Sequence, residues 1–392
     1  MPVSKSSKHY SAQELSPQKR TALVARLLDW YDRNRRRLPW RTLPGETADP
    51  YRVWLSEIML QQTTVATVGP YFHKFLKKWP TMKALAAAPV EEVMSAWAGL
   101  GYYSRARNLH ACACEVAKHH GGKLPDTEKA LRKLPGIGPY TAGAIAAIAF
   151  DRKAAPVDGN IERVLARIFA VKTPLPASKP ELRAIAETLA PAKRSGDFAQ
   201  AMMDLGATIC TPKSPACKNC PWSDDCLGYA MDIAAMLPAR EAKPDRPLRR
   251  GAAFVLISKH DEILLRRRPP KGLLGGMHEP PMSPWEKNFP AAPLDHAPLK
   301  AKYRKLPGLV RHGFTHFELE LEVYRAEAID RAKTNGAGEW APINDLTRFA
   351  LPSVMRKVID HALADRNAGP LFNARSETPQ ARARTPRAGR SG

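Results

Sequence analysis

The first 210 residues alternate between short polar segments and segments in which apolar residues recur with a helical period. Residues 17–35 follow Ser16 and place Leu23, Leu27 and Tyr31 on one face, which is typical of an amphipathic helix. Similar patterns predict helices at 53–68, 81–97, 104–119, 127–133, 139–150, 161–169, 180–189 and 198–208. This part of the chain is therefore predicted to be all-helical.

The pattern changes after residue 240. Residues 241–250 are rich in Pro and Arg, and 251–257, 262–268 and 316–327 alternate or are β-branched, as strands do. The fold class is therefore predicted as mainly α with a second, α+β domain. We expect a flexible N-terminus at 1–16, a helical domain at 17–232, a linker at 233–247, the α+β domain at 248–365 and a disordered basic tail at 366–392.

Charge then narrows the class of partner. The 392 residues include 61 Lys and Arg against 38 Asp and Glu, a formal charge of +23. Such an excess favours a polyanion, and nucleic acid more than an anionic membrane surface. Apolar runs fall short of the roughly 18 residues of a membrane span, and residues 1–15 contain no apolar signal core. We expect an intracellular protein that does not bind membranes.

A glycine-rich turn precedes the helix predicted at 139–150. In the segment LPGIGPY, Gly136 and Gly138 permit a tight turn, and the free N–H groups that begin the next helix suit a phosphate oxygen. The alternative is a plain connection between two helices that binds nothing. The reason for Tyr140 directly after the turn is not evident from the turn itself.

Two carboxylates are candidates for catalysis. Glu57 lies within the apolar run VWLSEIML, where burial would raise its pKa and let it serve as a general acid. Considered alone, this window favours an outward-facing Glu57 instead. Asp158, in PVDGNIERVLARI, is the second candidate. The alternative there is that Asp158 or Asn160 only caps the following helix.

Four of the six cysteines fall within 17 residues, which indicates a metal site rather than a disulfide framework. Four thiolates at this spacing fit either zinc or a [4Fe–4S] cluster, and only one pair has the C-x2-C spacing common in zinc sites. The spacing modestly favours iron–sulfur. The four are Cys210, Cys217, Cys220 and Cys226, whereas Cys112 and Cys114 are expected to be ordinary buried residues.

Taken together and in order, these segments closely resemble the helix-hairpin-helix DNA glycosylases, and among them the MutY-type adenine DNA glycosylases. The resemblance covers about residues 20–230. The segments that carry it are LPWR (38–41), PYRVWLSEIMLQQT (50–63), GLGYYSRARNLH (99–110), LPGIGPYTAGAI (134–145), VDGNIERVLAR (157–167) and the four cysteines.

The resemblance implies a helix-hairpin-helix glycosylase fold and excision of adenine paired with 8-oxoguanine or guanine in double-stranded DNA. Glu57 would protonate the adenine, Asp158 would stabilise the oxocarbenium sugar, and Asn160 would order polar contacts beside them. The adenosine must leave the duplex to react. The remaining implied residues are Trp40 and Arg41 in the adenine pocket, Gln62 and Tyr102 as wedges in the opened base stack, and the four cysteines as ligands of a [4Fe–4S] cluster.

Tyr140 gains a meaning from the same resemblance. Bifunctional relatives similar to endonuclease III carry a lysine at this place, which attacks the sugar through a Schiff base. With tyrosine there, the chain is expected to release the base with water and leave the strand uncut.

The C-terminal domain resembles a Nudix module, and the segment PPKGLLGGMHEPP (269–281) resembles the loop that precedes the helix of that module. The magnesium-binding R-E-x-x-E-E run does not follow Gly275, so the domain is expected to bind and not to hydrolyse. The segment FTHFELEL (314–321) matches the family's 8-oxoguanine reader, with Thr315 in place of the usual serine and His316 retained.

Two other interpretations compete with this one. An endonuclease III-like glycosylase and lyase is disfavoured by Tyr140 and by the second domain. A catalytically dead DNA-binding module is disfavoured because it would need neither Glu57 nor Asp158. We expect a monomer, located in the bacterial cytoplasm and associated with the nucleoid.

Overall fold

The computed structural model describes residues 15–43, 45–241, 245–270, 272–334 and 336–364. The chain divides into two compact units, Met1–Asp245 and Arg246–Gly392. The predictions for residues 1–14 and for the tail from 365 onward lie outside the described residues. No helix in the described ranges has the length and apolar character needed to cross a membrane.

The first unit is helical, as the sequence pattern predicts. Its short 3-10 turns lie at 217–219, 223–225 and 234–236. The α-helices of its described part are α1 (Pro17–Asn34), α2 (Pro50–Leu60), α3 (Val65–Lys78), α4 (Met82–Ala87), α5 (Val90–Ala96), α6 (Ser104–His119), α7 (Glu128–Leu131), α8 (Pro139–Phe150), α9 (Gly159–Ile168), α10 (Lys179–Leu189), α11 (Ser195–Thr208) and α12 (Leu227–Ala230).

Two predicted helices are each broken in two. The helix expected at 53–68 ends at Leu60, and α3 begins only after Thr64, whose hydroxyl accepts from the Thr67 N–H. Between them Gln62 adopts a left-handed backbone with φ of 56°. The helix expected at 81–97 is interrupted at Pro89, which cannot continue the backbone hydrogen bonding of α4. Both predictions were wrong in length.

Helix α8 lies at the centre of the unit and is buried on nearly all sides, because its residues are mostly Ala, Gly and Ile. It contacts α2, α7 and α11. Small residues let the backbones approach closely: a Cβ on Gly196 of α11 would lie 2.6 Å from the Ala147 carbonyl oxygen. Likewise, a Cβ on Gly206 of α11 would lie 2.7 Å from Cβ of Asn160. The end of α8 and the start of α9 are thus fixed against α11.

The second unit is α+β, which confirms the predicted fold class. Its sheet has the strand order β3-β2-β1-β6-β4, with β5 paired to β6 and β7 paired to β2. Strands β1 and β6 are parallel, whereas the other strand pairs are antiparallel. The elements are β1 (Leu248–Ser258), β2 (Glu262–Arg267), β3 (His278–Glu279), β4 (Arg304–Lys305), β5 (Val310–Gly313), β6 (Glu318–Ile329), β7 (Glu339–Pro342) and α13 (Ser353–Leu363).

Strand β1 carries an apolar core on each face. Val255 and Ile257 belong to the core that includes buried residues of α13, whereas Phe254 and Leu256 belong to the core on the opposite face. Successive side chains of a strand point to opposite faces, so a strand covered on both sides is apolar throughout. This explains the continuous apolar run at 251–257.

Candidate active site

A cavity of about 940 Å³ opens in the first unit where α2, α8 and α9 meet. The predicted site residues that it brings together extend from Glu57 to Asn160, which are 103 positions apart in the chain. The residues predicted from the sequence that line it are Glu57, Gln62, Tyr102, Gly136, Gly138, Tyr140, Asp158 and Asn160. Trp40 and Arg41 line instead a smaller cavity of about 50 Å³, and Glu57 also lines that one.

Helix α2 carries Glu57 into the protein. Asp49 caps the helix by accepting the Tyr51 N–H at 2.9 Å, and the residues from Val53 to Met59 are all buried. Glu57 is only 6 % exposed, so the outward-facing alternative is wrong. The pKa of Glu57 is raised to about 7, chiefly by burial; the hydrogen bond from Tyr140 and the charge of Arg41 lower it, and the charge of Asp158 raises it. Near neutral pH this carboxyl group therefore carries a proton in a large fraction of molecules.

Tyr140 is held against Glu57 by the glycine turn. Gly136 has φ of 75°, and a Cβ there would lie 2.6 Å from Cβ of Asn108, so the turn requires glycine. Gly138 precedes Pro139 at the first turn of α8, which directs the Tyr140 hydroxyl to a hydrogen bond with Glu57. Burial raises the pKa of Tyr140 well above its usual value, so the phenol stays neutral and donates to the carboxylate. Among the described residues that line the large cavity, none is a lysine.

Asp158 both caps a helix and faces the cavity. One of its oxygens accepts the Ile161 N–H at 2.8 Å, and the other accepts from the Asn160 side-chain amide at 3.1 Å. Helix α9 begins at Gly159, so the cap is Asp158, and the expectation that Asn160 could cap the helix is wrong. Burial raises the pKa of Asp158, while these hydrogen bonds lower it. The capping interaction fixes the direction in which the carboxylate points.

Arg163, one turn further along α9, was not identified from the sequence. Its guanidinium donates to the Asn160 side-chain oxygen at 2.9 Å, to the Gly206 carbonyl at 2.7 Å and to the Cys210 carbonyl at 2.7 Å. A chain of hydrogen bonds thus runs from the start of the cysteine segment through Arg163 and Asn160 to Asp158. The spacing of an arginine one turn after the Asp-Gly-Asn run is the only signal of this role in the sequence.

A buried ion-pair network forms the wall of the smaller cavity. Asp204 of α11 is fully buried and accepts from both terminal nitrogens of Arg41, at 2.6 and 2.8 Å. Arg36 donates to the same carboxylate through its side chain at 2.5 Å and its backbone N–H at 3.1 Å. Trp40 packs edge-on against Phe72, with ring centroids 5.5 Å apart. Asp204 lies more than 160 positions from both arginines, so no local pattern indicates the pairing.

Arg105 holds the two loops that carry Gln62 and Tyr102. Its side chain donates to the carbonyls of Ile58 and Met59 at the end of α2, to the Thr63 hydroxyl, and to the carbonyls of Leu100 and Gly101. Burial lowers its pKa to about 10, yet it remains a cation. Both supported residues, Gln62 and Tyr102, have left-handed backbones, and Tyr102 is 49 % exposed at the cavity mouth.

The predicted cysteine ligands follow α11 in one segment. Cys210, Cys220 and Cys226 pack against the core formed by α1, α9, α10 and α11. Arg167, which is 2 % exposed, donates to the Cys210 sulfur at 3.3 Å and to the carbonyls of residues 211 and 212. The thiols influence one another electrostatically, and burial raises the pKa of Cys220 to about 12. No group of three or more His, Cys, Asp or Glu side chains in the described ranges is arranged to hold a metal ion.

In the second unit, Thr315 and His316 form an exposed turn. The Phe314 N–H donates to the Phe317 carbonyl at 2.8 Å, and the two phenyl rings stack with centroids 4.6 Å apart. This pairing leaves the two side chains between them facing solvent. Nearby, the guanidinium of Arg249 lies 4.5 Å from the centroid of Phe317.

One buried carboxylate of this unit, Glu279, is paired with arginines. Glu279 is 2 % exposed and forms ion pairs with Arg266 and Arg268. A carboxylate neutralised by two guanidinium groups has little remaining capacity for a divalent cation. In the described part of this unit, no cluster of carboxylates resembles a magnesium site.

The comparisons with known proteins agree with this arrangement. Residues 55–191 match the HhH-GPD superfamily of base excision DNA repair proteins, and residues 252–361 match a NUDIX domain. The helical unit, with its glycine turn and two carboxylates, therefore belongs to the class of DNA base-excision glycosylases, and the second unit is a Nudix domain.

Full-length relatives identify the family. The chain is 36 % identical over 398 residues to the adenine DNA glycosylase of Mus musculus, covering 86 % of this chain and 77 % of that protein. It is 36 % identical over 404 residues to the adenine DNA glycosylase of Homo sapiens, covering 86 % and 73 %. The chain belongs to the adenine DNA glycosylase family, as its resemblance predicted. A solved thermostable thymine-DNA glycosylase is also similar, with 33 % identity, a TM-score of 0.49, and coverage of 55 % of this chain and 98 % of that one.

Proposed function

We propose that this protein is a monofunctional base-excision-repair enzyme that hydrolyses the N-glycosidic bond of adenine paired with 8-oxoguanine or guanine. The observation that carries the proposal is the meeting of Glu57, Tyr140 and Asp158 in one cavity, with the pKa of Glu57 raised to about 7 by burial. A carboxyl group protonated at neutral pH is a general acid, and a second carboxylate suits a developing sugar cation. Binding DNA alone requires neither.

The reaction divides between the two carboxyl groups. Glu57 transfers its proton to a ring nitrogen of the flipped-out adenine, so that the base leaves with the electron pair of the bond to C1′. Asp158, held by its capping bonds, stabilises the positive charge on the sugar. Water then attacks C1′ and loses its proton to a carboxylate. Tyr140 donates to Glu57 and helps orient it.

Extrusion of the adenosine would depend on Gln62 and Tyr102. Both lie at the cavity mouth with left-handed backbones fixed by Arg105, a position suited to fill the gap left in the base stack. The flipped base would approach the smaller cavity beyond Glu57, whose wall contains Trp40 and Arg41. Gly136 and Gly138 expose N–H groups at the start of α8 that suit a backbone phosphate.

The absence of lysine among the described residues that line the large cavity supports the monofunctional assignment. A lyase needs an amine beside C1′, and Tyr140, which stands at the start of α8, offers only a neutral phenol. The second unit would add the preference for 8-oxoguanine through the exposed Thr315 and His316.

The four cysteines fit a [4Fe–4S] cluster by the chemistry of their donors. Cys210, Cys217, Cys220 and Cys226 are all free thiols in one segment, and the buried Arg167 beside them would offset the negative charge of a four-thiolate site. When bound, the cluster would crosslink the segment that begins at Cys210. The Cys210 carbonyl accepts a hydrogen bond from Arg163, which also donates to the Asn160 side chain. A segment fixed by the cluster would therefore help to hold Asn160 in place.

The formal charge of +23 supports a location on DNA, and thus association with the nucleoid of a bacterial cell. We expect the protein to act on one duplex as a monomer, because the residues proposed for catalysis come together in one cavity of the first unit.

One assay separates the proposal from its competitors. Full-length protein is incubated with duplexes that contain adenine opposite 8-oxoguanine, adenine opposite guanine, or thymine glycol, and samples are analysed with and without alkali. From the first two duplexes we expect release of free adenine without alkali, and strand breaks only after treatment with alkali. Release of thymine glycol with direct strand cleavage would indicate the endonuclease III-like alternative, and tight binding without base release would indicate a DNA-binding module. Glu57→Gln serves as the control that should bind and not react.

A further inference from the structure

The wall of the smaller cavity contains two cations that share one anion. Arg41 and Arg36 both line this cavity, and both donate to Asp204, which lies behind them and is fully buried. The Arg41 side chain is 8 % exposed, so water contributes little to its solvation. Asp204 thus provides most of the neutralising charge for Arg41.

The same cavity is lined by Glu57, which has to be protonated in order to act as an acid. The charged and titratable groups that face Glu57 are Tyr140 from α8, Asp158 from the start of α9, and Arg41 and Arg36 from the segment before α2. Asp158 favours the protonated acid, whereas Arg41 favours the ionised form. An arginine released from its partner would form an ion pair with Glu57 and remove the acidic proton.

We propose that Asp204 is a positioning residue that holds Arg41, together with Arg36, away from Glu57 and so keeps the general acid protonated at neutral pH. The proposal rests on the assignment of Glu57 as the acid under the proposed function. The bidentate geometry of the ion pair supports the proposal. Both terminal nitrogens of Arg41 donate to Asp204, so the N–H groups in these hydrogen bonds are not available to Glu57. Arg36 uses the remaining acceptor positions of the carboxylate.

The test is the pH dependence of base release by the full-length protein. Single-turnover rate constants for adenine opposite 8-oxoguanine are measured from pH 5 to pH 9 for wild type, Asp204→Asn and Asp204→Asn/Arg41→Gln. The matched control is Asp32→Asn, because Asp32 also pairs with two arginines, Arg35 and Arg194, but does so at the surface, and none of the three lines either cavity. Thermal melting and binding to the duplex show whether each variant is folded.

In wild type the rate should fall as the pH rises through about 7, the pKa of Glu57. For Asp204→Asn we expect this alkaline limb to move to lower pH by about one unit or more, because an unpaired guanidinium near a carboxyl group lowers its pKa. The rate at pH 8 should then fall by about tenfold relative to wild type. The double variant should return the limb to the wild-type pH or above, at a lower overall rate, and Asp32→Asn should leave it unchanged.

A folded Asp204→Asn protein whose alkaline limb coincides with that of wild type overturns the proposal. If Asp204→Asn does not fold, the double variant decides, since it also removes the buried guanidinium of Arg41 and leaves only Arg36, whose side chain is 28 % exposed and can be solvated by water; a limb below the wild-type pH in that protein refutes a role for Arg41. Failure of the proposed function has a different signature: wild type would release no adenine at any pH.

Discussion

Substitution of Glu57 by glutamine should stabilise the protein at alkaline pH while abolishing catalysis. The amide has nearly the same size and still accepts a hydrogen bond from Tyr140, but it never has to ionise in a buried site. Because the folded state raises the pKa of Glu57 to about 7 from its ordinary value of 4.5, ionisation is less favourable in the folded than in the unfolded chain. Wild-type stability linked to this group is therefore fully present below pH 4.5 and is lost progressively as the pH rises through about 7.

The magnitude follows from the difference between the two pKa values. A difference of about 2.5 pH units, at about 1.4 kcal/mol per unit, corresponds to about 3 kcal/mol at pH 8. At pH 5 the same linkage gives about 1 kcal/mol, because this pH lies only about half a unit above the pKa of the unfolded-state carboxyl group. For a unit of this size, the difference at pH 8 corresponds to a rise in melting temperature of roughly 5–10 °C.

The assay is thermal or urea unfolding of wild type and Glu57→Gln at pH 5 and pH 8, with Glu187→Gln as control. Glu187 is an exposed residue of α10 whose ion-pair partner, Arg183, is an arginine and not a histidine, so its substitution should change stability equally little at both pH values. The reasoning is wrong if the stability difference between Glu57→Gln and wild type is the same at pH 5 and pH 8, or if the variant is the less stable protein at pH 8. Loss of adenine release in the same preparation, with duplex binding retained, would show that the stabilising change removes the acid.

Four further outcomes are expected. Arg105→Met leaves several buried carbonyls without a donor, so the free energy of unfolding in urea should fall by about 3 kcal/mol and binding to mismatched duplex should weaken. Tyr140→Lys should yield a borohydride-trapped adduct and some strand cleavage that wild type lacks, because it supplies an amine at the start of α8; a destabilised variant with no trapping would contradict this. Removal of residues 246–392 should keep adenine release but reduce the preference for 8-oxoguanine over guanine, and joint substitution of Thr315 and His316 by alanine should reproduce most of that loss. An equal preference in wild type, the truncated protein and the double variant would refute the role of the turn. Elemental analysis should find about four iron atoms and four sulfides per chain, whereas one zinc would exclude the cluster.

The sequence predicted the secondary structure best where local signals agree. Helix α8 was expected at 139–150 and lies at Pro139–Phe150, because a glycine turn and Pro139 fix its start and its apolar residues are continuous. The end of α2 was missed for a physical reason. Arg105 of a different helix takes the carbonyls of Ile58 and Met59 as hydrogen-bond acceptors, and no pattern near residue 60 reports a partner 45 positions away.

For the candidate site, the sequence predicted residues that line the cavity but not the residues that position them. Motif resemblance predicted some of the residues that line the large cavity, such as Glu57, Tyr140 and Asp158, since each belongs to a short segment with a fixed order in the chain; their roles stay predictions. The residues that position them were missed, because Asp204 and Arg163 act through contacts between distant segments. A buried ion pair such as that of Arg41 and Asp204 has no local periodicity and no spacing rule, so only the folded chain reveals it.

The close packing of α11 has a consequence for how sequence variants of this protein should be judged. Gly206 performs no chemistry and touches no nucleotide in any step considered above, yet a single added methyl group there would lie 2.7 Å from Cβ of Asn160. Relief of that overlap must displace the start of α9, and with it the carboxylate of Asp158. A substitution as mild as Gly206→Ala, which a chemical similarity score ranks as conservative, should therefore impair repair and raise the mutation rate of its host, as the loss of a catalytic group would.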